Sequence, residues 1–100
     1  MTVLAKYVKQ PGERKRYQIN YVNWLDTGEA VQGVVFSVDK ATVPPLVVDD
    51  VMPTPDNLGV QYYVSGGVNG TQYVVTATLS TNTGPQVKED EIYFSVREQG

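Results

Sequence analysis

Two short runs of carboxylates, Asp49-Asp50 and Glu89-Asp90-Glu91, are the densest groups of acid–base or metal-ligating side chains in this 100-residue chain. Hard oxygen ligands of this kind suit calcium, but neither run has the spaced pattern of a dedicated calcium loop. Charge placed at strand ends and edges accounts for both without a metal. Nothing in the sequence marks a cleft around them, as a glycosidase-type carboxylate pair would need. There is no histidine and no cysteine. A Ser-His or Cys-His nucleophile is therefore impossible, and so are thiolate metal sites and disulfides. Gly66-Gly67 followed by Gly70 lacks the lysine and the opening helix of a phosphate loop. Tyr62, Tyr63 and Trp24 could stack on a sugar. In an alternating strand, however, one of two adjacent tyrosines faces outward by geometry alone, and Trp24 reads as core or as a cap on one end. The expectation is no catalytic residue, no cofactor and no metal, hence no enzyme.

What remains is non-covalent chemistry, and it is unevenly distributed. Lys6, Lys9, Arg14, Lys15 and Arg16 fall in the first sixteen residues against one acid, Glu13, a balance of +4. The other 84 residues hold three basic groups and ten acids, a balance of −7. A basic segment on an acidic body suits docking onto an acidic protein surface, or head-to-tail contact between copies. A charged terminus that merely stays soluble is the alternative reading. On the docking reading, Val3, Leu4, Lys6, Tyr7, Val8, Lys9, Arg14, Lys15 and Arg16 are the partner-binding residues. The apolar ones supply buried area, and the cations supply encounter and orientation. The segment holds a single aromatic, Tyr7, and the body is acidic, so nucleic acid is not an expected partner. Residues 57–87 carry no charge but are rich in Gly, Thr, Asn, Gln and Ser, unlike a membrane helix. The N-terminal apolar run breaks too early for a signal peptide. Asn69-Gly70-Thr71 reads as a turn, and the lack of cysteine fits assembly in a bacterial cytoplasm.

The elements that would position this segment are strands. Tyr17, Ile19 and Tyr21 alternate with polar neighbours, as do Val34, Phe36 and Val38, then Val60, Tyr62 and Val64. Tyr73, Val75, Ala77 and Leu79 form the strictest alternation, and Ile92, Phe94 and Val96 close the chain. Asp26-Thr27-Gly28-Glu29 and Asn82-Thr83-Gly84-Pro85 read as turns, and Pro44-Pro45 excludes helix. Asp49-Asp50 reads as the end of the run Leu46-Val47-Val48. Six or seven short strands at this spacing predict an all-β sandwich. Tyr73, following a glycine-rich corner, fits the tyrosine corner of immunoglobulin-like domains, with its hydroxyl bonded to backbone in Ser65–Gly70. The expected core layer is Val75, Ala77, Leu79, Ile92, Phe94 and Val96, facing Ile19 and Phe36. Pro11-Gly12 separates an extended N-terminal docking arm, residues 1–14, from an immunoglobulin-like β-sandwich, residues 15–100.

Over residues 11–98 the chain resembles the fibre–tail adaptor group of small bacteriophage virion proteins. The resemblance rests on Tyr17, Tyr21, Trp24-Leu25, Gly28-Glu29-Ala30-Val31 and Phe36-Ser37-Val38. It continues through Tyr63-Val64-Ser65-Gly66-Gly67, Gly70, Tyr73, Val75, Thr81-Asn82-Thr83-Gly84, Ile92, Phe94, Val96 and Arg97. The chain departs from that pattern at Asn20 and Asn23, where acids are common, and in its basic Arg14-Lys15-Arg16 run. The resemblance implies a non-enzymatic structural protein of the virion at a head–tail or tail-fibre junction. Several copies would contact portal, connector, tail or fibre subunits, with no membrane involved. A bacterial carbohydrate-binding or adhesion module is the alternative.

Overall fold

The structure, a computed structural model, describes residues 2–82 and 86–98. Those residues form seven strands and no helix. They are β1 (Thr2–Lys9), β2 (Lys15–Asn20), β3 (Val31–Val38), β4 (Leu46–Pro53), β5 (Gly59–Gly66), β6 (Thr71–Thr81) and β7 (Val87–Val96). They pair into a four-stranded sheet, β1-β7-β6-β3, and a three-stranded sheet, β2-β5-β4. Pairing is antiparallel except between β1 and β7. The two sheets form a sandwich-like arrangement, with β1 at one edge of the larger sheet.

The alternation read from the sequence sets the register. Tyr73, Val75, Ala77 and Leu79 of β6 and Ile92, Phe94 and Val96 of β7 are fully buried, while their neighbours face outward. Tyr17, Ile19, Tyr62 and Val64 of the smaller sheet close the core from the other side. Phe36 does not lie across from the β6–β7 layer as expected. It pairs with Ala77 in the same sheet and packs on Tyr62 of the opposite one, with centroids 4.6 Å apart. Periodicity tells which face a residue occupies and not which sheet its strand joins.

The tyrosine corner forms as read. The buried Tyr73 hydroxyl accepts from the Val68 N–H at 3.0 Å and lies 2.7 Å from Thr42 Oγ1. Two glycines make the corner possible. Gly66 has φ +75°, and a Cβ there would sit 2.4 Å from the Pro45 carbonyl oxygen. Gly67 has φ +95°, and a Cβ there would press on Val96, Leu46 and the Tyr73 ring. A side chain at either position is both strained and obstructed.

Two readings of the sequence need correction. Asp49-Asp50 does not end its strand. The pairing of β4 with β5 shifts by one residue between Asp49 and Met52, with Asp50 at φ +49°, and the strand continues to Pro53. This is a β-bulge, and Asp is among the few non-glycine residues that tolerate such a φ. Nor is the N-terminal segment an extended arm apart from the sandwich: Thr2–Lys9 pairs along β7 from Asp90 to Val96. Ala5, Tyr7 and Lys9 turn inward, an alternation that the charges of Lys6 and Lys9 disguise. The turn read at Asn82-Thr83-Gly84-Pro85 lies partly outside the described residues.

Candidate protein-docking site

The nine residues singled out as partner-binding separate into three groups. Val3, Leu4, Lys6, Val8, Lys15 and Arg16 are exposed on the side of the sandwich where β1 and β2 lie. Val3 and Val8 keep about two-fifths of their surface in water, at 41% and 43%. The Lys6 ammonium lies 5.6 Å from the Tyr93 ring centroid and that of Lys15 5.9 Å from the Tyr17 ring. Lys6, Lys15 and Arg16 have no acidic partner among the described residues.

Tyr7 and Lys9 form the second group and point into the domain. The Tyr7 ring sits 4.6 Å from that of Tyr17 and 5.5 Å from Phe94. Lys9 is fully buried, yet its ammonium is not wasted. It donates to the Gln10 carbonyl at 2.6 Å and to the Gly66 carbonyl at 2.8 Å. Burial pulls its pKa below the ordinary lysine value, with the nearby Glu13 opposing the shift. Lys9 therefore tethers the end of β1 to the glycine corner, a structural role that a count of charges misses.

Arg14 stands alone in the third. Its guanidinium bridges Asp49 at 3.2 Å and Asp50, and stacks 4.2 Å from the Tyr63 ring centroid. The bulge in β4 brings both carboxylates to one guanidinium. All three groups are substantially exposed, so the pairs add little stability individually. They do neutralise one arm cation with the protein's own acids.

A half-open cleft of about 180 Å³ between β1 and β2 was not legible in the sequence. Leu4, Ala5, Gln18, Asn20, Tyr62 and Ile92 line it. The buried Tyr62 hydroxyl has no hydrogen-bond partner among the described residues, and burial raises its pKa well above the ordinary tyrosine value. No periodicity signals this cleft, because it depends on β1 joining the edge of the four-stranded sheet through β7.

The alternative chemistries do not assemble. The acidic runs lie in different sheets, Asp49-Asp50 against Arg14 and Asp90 against Lys88 at 2.9 Å. No group of three or more acidic side chains poised for a metal occurs among the described residues. Tyr62 is buried, the Tyr63 ring is covered by Arg14, and half-buried Trp24 has the Lys88 ammonium 5.8 Å from its ring. None of them offers an open platform for sugar.

Fold and surface thus define a small β-sandwich whose accessible chemistry is that of protein contact. A family model for the podophage GP4 fiber-tail adaptor protein gp77 matches residues 9–95, and the chain belongs to that family. It is a structural protein of fibre–tail adaptor type, a virion component that binds other virion proteins. No curated protein and no solved structure matches it.

Proposed function

We propose that the chain joins tail and fibre by seating the β1–β2 side of its sandwich on an acidic, partly apolar surface of a neighbouring virion protein. The observation that carries this reading is the coincidence of three cations without acidic partners, Lys6, Lys15 and Arg16, with exposed Val3, Leu4 and Val8. Exposed charges set encounter and orientation, while apolar area holds the contact. A portal, connector, tail or fibre subunit would supply the acidic surface. Several copies would act as rigid spacers at a head–tail or tail-fibre junction, added during assembly in the host cytoplasm. The domain's 45 Å long axis suits a spacer. No step of this role requires catalysis.

Removing the segment is a poor test, because losing residues 1–12 would strip Ala5, Tyr7 and Lys9 from the packed domain and bare the edge of β7. Charge reversal is cleaner. The triple variant K6E/K15E/R16E alters exposed side chains only and should fold with an unchanged melting profile. Its incorporation into particles should fall at least about tenfold, the effect of roughly 1.4 kcal/mol. Binding by the parent protein should weaken with added salt. Normal incorporation of the triple variant would overturn the reading.

A further inference from the structure

Three buried side-chain atoms have no hydrogen-bond partner among the described residues: the Tyr21 and Tyr62 hydroxyls and one Asp90 oxygen. They gather beneath the first half of β1. Tyr62 and Ile92 line the β1–β2 cleft together with Leu4 and Ala5. Asp90 lies two residues before Ile92 on the same inward face of β7, and its pairing partner in β1 is Thr2. Tyr21 follows Asn20, another cleft residue, and burial with the added effect of the Asp90 carboxylate raises its pKa. The two halves of β1 are held unequally. Residues 5–9 pair with residues 92–96 in unbroken register, and Tyr7 packs on Tyr17 and Phe94. The Lys9 ammonium donates to the Gly66 carbonyl, and the Lys9 carbonyl accepts from the Arg97 N–H at 2.9 Å. Of residues 2–4, Thr2 and Val3 pair with β7, and a register shift leaves Leu4 without a partner there. The Val3 and Leu4 side chains are 41% and 38% exposed.

We propose that residues 2–4 form a strap, hinged at the register shift, that lifts off the sandwich while the tether at Lys9 keeps the rest of β1 in place. Closed, the strap keeps Tyr21, Tyr62 and Asp90 dry, at the desolvation cost of polar atoms that make no bond. Open, it gives up two strand pairings. Water then enters through the cleft to the Tyr62 hydroxyl, and past the vacated end of β7 to Asp90 and Tyr21. The apolar burial lost is small, because Val3 and Leu4 are already partly in water, and the hydration gained offsets it. The shift is a natural hinge, because its extra residue already stands outside the ladder. Local opening draws on the least stable parts of a fold, and this half of β1 is one of them. The strap carries Val3 and Leu4, so its release extends their reach toward a docking partner. It is nevertheless a property of the free chain, and it stands or falls apart from the docking reading above.

The test is amide-resolved hydrogen exchange of the full chain by NMR. Relative to intrinsic rates, the most protected amide of residues 2–4 should exchange at least about tenfold faster than the most protected amide of residues 5–9. A simple frayed end would also exchange fast, so the decisive readout is coupling to the buried hydroxyls. Tyr62→Phe keeps the ring and removes what opening hydrates. It should therefore slow exchange in residues 2–4 by about tenfold. Tyr21→Phe should shift it in the same direction. Tyr73→Phe, which deletes a hydroxyl already bonded in the closed state, should not slow it. Equal protection along β1 would overturn the proposal. So would a fast-exchanging strap that ignores both Tyr62→Phe and Tyr21→Phe, or one that Tyr73→Phe slows as much.

Discussion

At the glycine corner, Tyr73 and Lys9 are both fully buried, and each polar tip has partners. The tyrosine hydroxyl has the Val68 N–H and Thr42, and the ammonium has the Gln10 and Gly66 carbonyls. Toward the other end, past the last residue of β2, buried Tyr21 has a hydroxyl without a partner among the described residues. Asp90, also fully buried, uses one oxygen on Lys88, and the other has no partner among the described residues. The same kinds of side chain, equally removed from water, are thus spent differently. A buried group with partners stabilises by the bonds it makes and, once removed, unpairs something else. A buried group without partners contributes desolvation cost and little else. The corner is therefore the better-bonded end of the domain, and substitutions there should be far more damaging than chemically equivalent ones near Tyr21.

The largest expected effect is at Lys9. Lys9→Ala removes a buried four-carbon stem and the ammonium's bonds to the Gly66 and Gln10 carbonyls, although the Gln10 carbonyl keeps the Glu13 N–H. The loss should be on the order of 3 kcal/mol, from packing and hydrogen bonds to a charged group together. Urea unfolding monitored by far-UV circular dichroism would measure it. Lys9→Met restores the stem but not the carbonyl contacts and should recover only part of the loss. An exposed-lysine result, within about 0.5 kcal/mol of the parent, would remove Lys9 from the corner.

The corner itself was legible in the sequence because its constraints are local. Gly66, Gly67 and Gly70 announce a backbone that most residues cannot adopt, and Tyr73 follows at the right distance. The layers of β6 and β7 were legible because period-2 alternation survives in Tyr73–Leu79 and Ile92–Val96. What failed is non-local. No periodicity says that β1 pairs in parallel with β7, or that Phe36 shares a sheet with Ala77. Lys9 failed for another reason: a lysine reads as a surface charge, whereas its apolar stem and three donors allow burial wherever carbonyls converge. Asp49-Asp50 looked like a strand end because a bulge places charge inside a strand. Of the docking residues, the exposed set at Val3, Leu4, Lys6, Val8, Lys15 and Arg16 follows from the sequence. The inward turn of Tyr7 and Lys9 and the self-neutralised Arg14 required the fold.

Tyr73→Phe sharpens the comparison by deleting one oxygen. The ring still fills its place, but the Val68 N–H and the Thr42 hydroxyl each lose a partner. The expected cost is about 1–3 kcal/mol, read as a lower midpoint in urea with an unchanged slope. No shift in midpoint would mean that the corner is held by its glycines and packing alone.

Tyr21→Phe is the matching change at the other end and should be the smallest. With no hydrogen bond to lose, the substitution should be neutral at pH 7 or stabilise by up to about 1 kcal/mol. Its signature is in pH. Burial, with the Asp90 carboxylate adding to it, raises the Tyr21 pKa above its ordinary value near 10. A pKa raised in the folded state gives a contribution that is complete below the unfolded pKa of about 10 and is lost as pH climbs beyond it. Phenylalanine has no such titration. The stability of Tyr21→Phe relative to the parent should therefore increase between about pH 10 and pH 12, whatever its value at neutrality. Urea midpoints measured at pH 7, 10 and 11.5 would show the gap widening in favour of the variant. A constant gap would mean that Tyr21 ionises as freely folded as unfolded. A loss at pH 7 as large as that of Tyr73→Phe would mean that the Tyr21 hydroxyl has found a partner, and the contrast between the two ends would then collapse.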